Sequence, residues 1–162
     1  MKLYYIIIPL IAIAVAGFGS LLTNTGLTPA TDSVLSWYQT IQKPNWTPAG
    51  SIIGVVWTTI FILTAISALI VWTKAPRDSR LTWIAVLFLV NAAFNVLWSF
   101  LFFNQHLLAV SIFEAALLGL SVMALIILIW PISRWASILL IPYAGWVIFA
   151  TYLTYSVWLL NK

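Results

Sequence analysis

The sequence predicts an all-α integral membrane protein, a bundle of five transmembrane helices with a short helix in the loop between the first two. The first observation behind this prediction is composition: 64% of the 162 residues are hydrophobic and 6% are charged, against about 25% charged in a soluble domain. The second is that apolar runs long enough to cross a hydrocarbon core of about 30 Å recur along the chain. These spans leave no room for a separate soluble domain, so residues 1–162 are predicted to form one domain.

Charge and cysteine content exclude several classes of function. The formal charge of +4 lies in short loops, where it bears on orientation and on contact with membrane lipid and does not indicate a nucleic-acid partner. The chain has no cysteine, which excludes disulfides, thiolate metal sites and a thiol nucleophile. One histidine and three acidic residues do not supply a nucleophile, a base and an orienting acid, so hydrolytic chemistry is not expected.

The first span is predicted at about residues 3–22, close to the roughly 20 residues that cross a bilayer. Pro9 is expected to bend this helix or to end its first turn. A signal peptide is the alternative, because Lys2, the apolar run and Ala14-Val15-Ala16 fit a small-residue cleavage site. The apolar run continues beyond that site, which favours a span.

Residues 23–50 are predicted to form a loop that acts as a lid on the bundle. Within it, Asp32 can cap the first turn of a short helix. Four apolar or aromatic residues then fall on one helical face: Val34, Leu35, Tyr38 and Ile41. Such a face needs a surface to lie on, and the mouth of the bundle provides one.

Residues 43–48, here called the strap, contain two Xaa-Pro steps. Lys43 and Thr47 precede prolines and are therefore disfavoured in the α region, so the strap is predicted to be extended and stiff. Its Trp46 is a candidate for covering a ligand. The alternative is an interfacial anchor, in which the tryptophan lies at the level of the lipid headgroups.

Four further spans are predicted at about residues 51–72, 81–103, 107–130 and 135–160. The turns between the last three spans are short, which forces neighbouring helices to be antiparallel. Pro142 is predicted to kink the fifth span because it lacks a backbone N–H.

The distribution of cations predicts the orientation. Five spans place the two termini on opposite sides of the membrane. One side collects Lys2, Lys74, Arg77, Arg80 and Arg134, whereas the other has Lys43 and Lys162. The positive-inside rule then places the amino terminus in the cytoplasm, and the first loop and carboxyl terminus outside.

Polar and aromatic residues inside the spans indicate a binding pocket. Asn91, Asn95 and Trp98 lie at i, i+4 and i+7 on one face, which must point inward because lipid cannot satisfy the amides. Other candidates are Trp57, on a stripe of the second span with Phe61, Thr64 and Ala68, and Tyr143, Trp146 and Ala150 on one stripe of the fifth span. Such a set describes a pocket for a large, flat, apolar ligand with a few hydrogen-bonding groups. The alternative is that these residues only join helices to one another.

Glu114 is the one acidic residue inside a predicted span. An ionised carboxylate there costs about 2.5–3.5 kcal/mol at mid-depth, so we expect Glu114 to be protonated or bonded to a Tyr, Trp or Asn donor. Neighbouring Ser111, Ala115 and Gly119 suggest a close helix contact as the alternative to a functional role such as proton-coupled transport. His106 lies in a turn with no second ligand in view, so no metal site is predicted.

Four separated motifs carry a resemblance to a known family. They are residues 37–48, Trp57-Thr58, Asn95-Val96-Leu97-Trp98 followed by Phe102-Phe103, and residues 142–153. In this order they resemble the tryptophan-rich sensory protein (TspO/MBR) family, the bacterial relatives of the mitochondrial translocator protein, also called the peripheral benzodiazepine receptor.

The resemblance implies a five-helix protein of the bacterial cytoplasmic membrane, frequently a homodimer, whose first loop covers the pocket. It implies a receptor or carrier that needs no cofactor and binds porphyrins, such as protoporphyrin IX or haem-like molecules, and isoquinoline carboxamides. By position, Trp57 and Asn95 are implied to hydrogen-bond the ligand, and Trp146 and Ala150 to form pocket wall. In some relatives the tryptophans at Trp57 and Trp146 are associated with light-dependent porphyrin breakdown, which makes these two the only candidates for a catalytic role.

The chain departs from the family pattern at three places. Ala49 stands where a second proline is usual, and Thr154 replaces the usual Asn after Leu153. The sterol-recognition pattern needs a cation within five intervening residues of its tyrosine, but six residues separate Tyr155 from Lys162. Sterol binding is therefore not expected.

Overall fold

The computed structural model describes residues 3–27 and 37–162, without the side chains of residues 24–27. These residues form helices and connecting turns and contain no strand. The helices are α1 (Tyr4–Leu27), α2 (Trp37–Thr40), α3 (Gly50–Lys74), α4 (Ser79–Ser99), a π-helical turn (Phe100–Asn104), α5 (Leu108–Ile129), α6 (Arg134–Ile138) and α7 (Ile141–Leu160).

Among the described residues, five helical segments are long and apolar enough to cross a membrane, which confirms the predicted all-α five-span bundle. The spans are α1, α3, α4 with the π-helical turn, α5, and α6 with α7. α5 lies between α4 and α7, and α1 packs on α3, α4 and the π-helical turn. The charged turn between α3 and α4 and the start of α6 therefore share one end of the bundle, here called the basic end. The other end carries the strap and is called the strap end.

α1 is longer than predicted. The predicted end at residue 22 marks the last apolar residue, but the helix continues to Leu27. The hydroxyl of Thr23 donates to the carbonyl of Gly19 at 2.8 Å, so the polar side chain is satisfied within the helix. The helix also runs through Pro9 without ending there.

Of the short helix predicted in the first loop, the described residues contain only the four residues of α2. Its predicted cap, Asp32, and the predicted face residues Val34 and Leu35 lie outside the described residues. The strap is non-helical, as predicted, but it is not fully extended. Its centre is a turn in which the N–H of Thr47 donates to the carbonyl of Pro44 at 3.0 Å.

The fifth span is two helices, and Pro142 lies in the first turn of the second. This confirms the predicted kink, although the break itself falls at residues 139–140, because a proline cannot donate to the preceding turn and clashes with it. Two serine hydroxyls fix α6 in place: Ser67 of α3 donates to the carbonyl of Ala136 at 2.8 Å, and Ser137 donates to that of Ile126 in α5 at 3.0 Å. The break is thus held from both neighbouring helices.

The third span ends in the π-helical turn and not as a regular helix to residue 103. The wider turn leaves both Phe102 and Phe103 buried. The connection to α5 closes at His106, whose φ of 57° lies in the left-handed region that non-glycine residues rarely adopt. The tight turn at 104–106 is therefore confirmed, and the change in pitch before it is what buries two successive rings.

Two apolar clusters form the core of the part of the chain that the structure describes. One lies at the basic end, around Val71, Ile84, Leu125, Ile129 and Leu140. The other lies at mid-depth, where α5 meets α7, and contains Ile60, Leu118, Val122, Tyr143, Ala144 and Val147. The second cluster forms one wall beside the candidate site.

Candidate ligand-binding site

A cavity of about 490 Å³ lies between α1, α3 and α4. It follows α3 from Phe61 to Trp72, about 16 Å at the helical rise of 1.5 Å per residue. Its walls are aliphatic, aromatic and alanine side chains, with polar groups at the inner end. Volume and lining are those of a site for a largely apolar small molecule.

Four buried residues form a hydrogen-bonded cluster at the inner end of the cavity, here called the amide–hydroxyl cluster: Asn91, Asn95, Ser121 and Tyr143. The Asn95 amide donates to the Tyr143 hydroxyl at 3.2 Å, and that hydroxyl donates to the Asn91 carbonyl oxygen at 3.1 Å. The Asn91 amide donates to the Ser121 hydroxyl at 2.8 Å. The two asparagines lie one turn apart on α4 and face inward, as their spacing predicts.

Asn95 and Thr64 bring unused hydrogen-bonding groups to the cavity. Both line it, and in the described part of the chain the Asn95 side chain makes only the bond to Tyr143. The buried hydroxyl of Thr64 has no partner within residues 3–27 and 37–162. A bound molecule can supply the missing partners, as buried polar groups require.

Trp57 lies directly behind the cavity and does not line it. Its ring stacks on Phe61, with centroids 5.7 Å apart, and meets Tyr143 edge-on at 6.0 Å. It also meets Trp146 edge-on at 6.5 Å. Trp57 therefore supports two residues of the cavity wall.

A continuous row of aromatic rings leads from Trp57 toward the strap. Trp146 is followed by Phe149 at 5.1 Å, and Phe149 by Trp46 at 5.9 Å. Trp46 also stacks on Tyr152, with centroids 5.5 Å apart. Ala150 lies half-buried on the same helix, and the indole N–H of Trp146 is buried without a partner in the described residues.

Trp98 lies in a third place, beneath α2. Its ring stacks on Phe102 at 5.0 Å and meets Phe103 edge-on at 5.9 Å. From the loop side, Trp37 contacts Phe102 at 5.6 Å and Tyr38 contacts Phe103 at 5.6 Å. This group of rings seats α2 on the end of the third span.

The predicted site residues are thus divided among three neighbouring groups. Asn91, Asn95 and Tyr143 line the cavity, whereas Trp57, Trp146, Ala150 and Trp46 run along α3 and α7 toward the strap. No residue from 37 to 49 lines this cavity, so the cavity is not the pocket predicted directly under the first loop, and that pocket stays a prediction. The physical reason is that the rings of Trp57 and Trp146 occupy the strap half, while the cavity opens into the half at the basic end.

The strap is held against α7. The Asn161 side chain accepts from the backbone N–H of Gln42 at 2.9 Å and donates to its carbonyl at 2.8 Å. The Lys43 ammonium donates to the carbonyl of Tyr38 at 2.6 Å and lies over its ring, 4.6 Å from the centroid. Burial raises the pKa of Tyr38 above its usual value, so this phenol stays neutral beside the cation.

Glu114 is 5% exposed on α5, and neither of its carboxyl oxygens has a hydrogen-bond partner among the described residues. The predicted bond to a Tyr, Trp or Asn donor is therefore absent there, and protonation stays a prediction. The close helix contact suggested for the neighbouring stripe is present: a Cβ at Gly119 would lie 3.4 Å from the Val147 side chain of α7. Glu114 thus lies on the helix that packs against α7 at van der Waals distance.

His106 stacks on Trp37, with ring centroids 4.0 Å apart, and so has a packing contact in the α2 region. Within residues 3–27 and 37–162, no group of three His, Cys, Asp or Glu side chains could hold a metal ion.

Several residues that line or support the cavity are not predicted from the sequence. α1 supplies one whole wall, including Tyr4, Ile8 and Ala12, and Ser121 completes the polar cluster. Two signals are present in the sequence: Ala12, Ala16 and Ser20 recur every fourth residue as a small-residue stripe, and Thr64 falls on the stripe of Trp57. Neither signal says which helix faces which.

Comparisons with known proteins agree with the motif order. The family model described as TspO/MBR family matches residues 6–159. The chain is 36% identical to protein CrtK of Rhodobacter capsulatus, over 84% of this chain and 85% of that protein. It is 32% identical to the tryptophan-rich protein TspO of Archaeoglobus fulgidus, over 99% of each, and 28% identical to the translocator protein of Homo sapiens, over 76% of this chain and 74% of the human one.

Proposed function

The chain belongs to the TspO/MBR family, and from this premise we propose that it is a membrane receptor or carrier for porphyrins of the protoporphyrin IX class and similar flat, apolar molecules. The observation that carries the proposal is the cavity of about 490 Å³ with the amide–hydroxyl cluster at its inner end. Apolar walls provide the contact area, and Asn95 and Thr64 provide orienting hydrogen bonds. The protein needs no cofactor of its own, since the porphyrin is the ligand.

Alanine-to-leucine variants test where the ligand lies. Ala92 lines the cavity, Ala150 lies near the strap, and Ala116 is exposed to lipid on α5. Filling a binding site with a leucine costs about 1–3 kcal/mol, so Ala92→Leu should weaken protoporphyrin IX binding by about tenfold or more. Ala116→Leu is the matched control and should leave the dissociation constant unchanged in a Trp-fluorescence titration.

Ala150→Leu separates this placement from a pocket under the strap. If Ala150→Leu weakens binding and Ala92→Leu does not, the ligand lies in the strap half and the cavity placement is wrong. Asn95→Ala adds a chemical test, because loss of one ligand hydrogen bond should cost about 1 kcal/mol, or about fivefold in affinity.

Light-dependent porphyrin oxidation is the second candidate, and the row of rings from Tyr143 through Trp57 and Trp146 to Trp46 favours it. Successive centroids are 5.1–6.5 Å apart, so a photoexcited porphyrin in the cavity can exchange electrons with the row. Dioxygen is the oxidant in this reading. Under illumination in air, wild type should convert protoporphyrin IX to a product with a new absorbance spectrum, and Trp146→Phe should slow conversion while retaining affinity. Equal bleaching with and without protein would exclude this activity.

We also propose that the protein resides in a bacterial cytoplasmic membrane as a homodimer, with the basic end in the cytoplasm. Four cations lie at that end of the bundle: Lys74, Arg77, Arg80 and Arg134. This distribution supports the orientation, since cations are retained on the cytoplasmic side. A cysteine introduced at Lys162 should then react with an impermeant maleimide from outside intact cells. Labelling only after lysis would show that the protein has the opposite orientation.

A further inference from the structure

A second depression lies on the outer surface of the bundle, where α4 and α5 meet at the basic end. It has a volume of about 630 Å³ and is here called the Arg80 groove. Ser79 and Arg80 form its polar end, Trp83, Leu87 and Val90 continue along α4, and Leu128 of α5 forms the other side. It lies on a different face from the candidate ligand cavity.

The polar end of the groove holds its arginine in a defined position. One guanidinium nitrogen of Arg80 donates to the carbonyl of Leu128 at 3.0 Å. A guanidinium has five N–H donors in a rigid plane, so most of them remain for another acceptor. This anchoring favours the bidentate phosphate binding for which arginine is suited.

The apolar part of the groove is about as long as one leaflet of the hydrocarbon core is thick. Trp83, Leu87 and Val90 follow Arg80 at three, seven and ten residues, a single stripe about 15 Å long. Half of a hydrocarbon core measures about the same. Trp83 is 69% exposed and lies one turn from Arg80, at the interfacial level where tryptophan is common.

The end of the bundle at which the groove's polar end lies is basic. Lys74, Arg77 and Arg134 share this end of the bundle with Arg80. The acid of the turn, Asp78, is engaged as the cap of α4, accepting from the backbone N–H of Leu81 at 3.2 Å. Because lipid covers this face in any membrane, the structural question is which lipid the groove selects.

We propose that the Arg80 groove binds one anionic glycerophospholipid, with its phosphate on Arg80 and an acyl chain along Trp83, Leu87 and Val90. The attraction of one cation for an anionic headgroup corresponds to about a fivefold preference. The groove therefore retains phosphatidylglycerol over phosphatidylcholine of the same chain length.

Native mass spectrometry of the detergent-purified full chain, mixed with phosphatidylglycerol or phosphatidylcholine of identical chains, tests the proposal. Wild type should retain phosphatidylglycerol about fivefold more than phosphatidylcholine, and Arg80→Gln should abolish that preference. Arg134→Gln is the matched control, because it removes the same charge from the same end outside the groove. Leu87→Trp, which fills the acyl track but leaves Arg80, should also lower phosphatidylglycerol retention.

Four results would overturn the proposal. Equal retention of the two lipids by wild type would show no selection, and equal losses in Arg80→Gln and Arg134→Gln would show a general effect of charge. Displacement of the lipid by millimolar inorganic phosphate would show binding of the headgroup alone. Efficient cross-linking of Leu87→Cys between two copies in the membrane would show that a second chain covers the groove, a clean assay since the sequence has no other cysteine.

Discussion

The two sides of the bundle are packed in different ways. In the membrane-spanning stretch of α1 no side chain is buried, whereas 39% of the corresponding stretch of α5 is. α5 meets α7 through Gly119 and Val147 at ordinary contact distance, while α1 and α3 enclose the cavity. In lipid, helix association depends on close packing and hydrogen bonds because both surfaces are equally apolar. We infer that α5 and α7 form the rigid side of the bundle, because α1 has the smallest buried share of the five described spans.

Truncating equivalent leucines on the two sides should give the largest difference. Leu125 of α5 is 0% exposed and Leu10 of α1 is 57% exposed. Leu125→Ala leaves a cavity and should lower the free energy of unfolding by about 2–5 kcal/mol, whereas Leu10→Ala should change it by less than about 0.5 kcal/mol. Chemical unfolding in mixed micelles measures both. Similar losses would mean that α1 is packed as firmly as α5.

Adding a side chain at two helical glycines should sharpen the comparison at an intermediate level. A Cβ at Gly119 would lie 3.4 Å from Val147, whereas nothing lies within 4 Å of one at Gly54. Gly119→Val should therefore destabilise the protein by about 1–3 kcal/mol through overpacking. Gly54→Val carries the same change in helix propensity and serves as the control. If the two variants have the same melting temperature in detergent, the α5–α7 contact is not tight.

The smallest effect is expected where the strap joins the rigid side. Asn161→Ala removes two hydrogen bonds to the backbone of Gln42, each worth about 1 kcal/mol. Amide hydrogen exchange in residues 41–48 should become about thirtyfold faster, with little change in global stability. Gln42→Ala is the control, since Asn161 binds its backbone and not its side chain. Faster exchange in that control would place the fastening elsewhere.

Local features of the fold could be predicted because each has a local cause. The span positions follow from hydropathy, the kink in the fifth span from the missing N–H of Pro142, and the inward face of Asn91 and Asn95 from helical spacing. The end of α1 was misplaced because hydropathy does not register a threonine that satisfies its own hydroxyl. The π-helical turn at Phe100–Asn104 was missed for a similar reason, since a change of helical pitch leaves no mark on an apolar run.

The arrangement of the candidate site was harder to predict because it depends on contacts between helices. The sequence suggests a single pocket lined by Trp57, Asn95, Trp98 and Trp146. The packing of α3, α4 and α7 decides which of these side chains border a cavity and which fill space between helices. The spacing of residues along the sequence shows which of them share a helical face, but not which other helix that face contacts. Consequently Asn91, Asn95 and Tyr143 of the polar cluster could be predicted from the sequence, whereas Ser121 could not.

The hydrogen bonds of the amide–hydroxyl cluster can run in only one direction. The Ser121 hydroxyl donates to the carbonyl of Leu118 at 2.7 Å, and a carbonyl can only accept. Ser121 must therefore accept from Asn91, Asn91 must accept from Tyr143, and Tyr143 must accept from Asn95. The Leu118 carbonyl of α5 thus determines that the Asn95 amide nitrogen, and not its oxygen, faces Tyr143. If the Asn95 amide turned over, its oxygen would face the Tyr143 hydroxyl, which already donates to Asn91, and the bond between Asn95 and Tyr143 would be lost. The cavity thus meets its ligand with an amide whose two ends are already assigned.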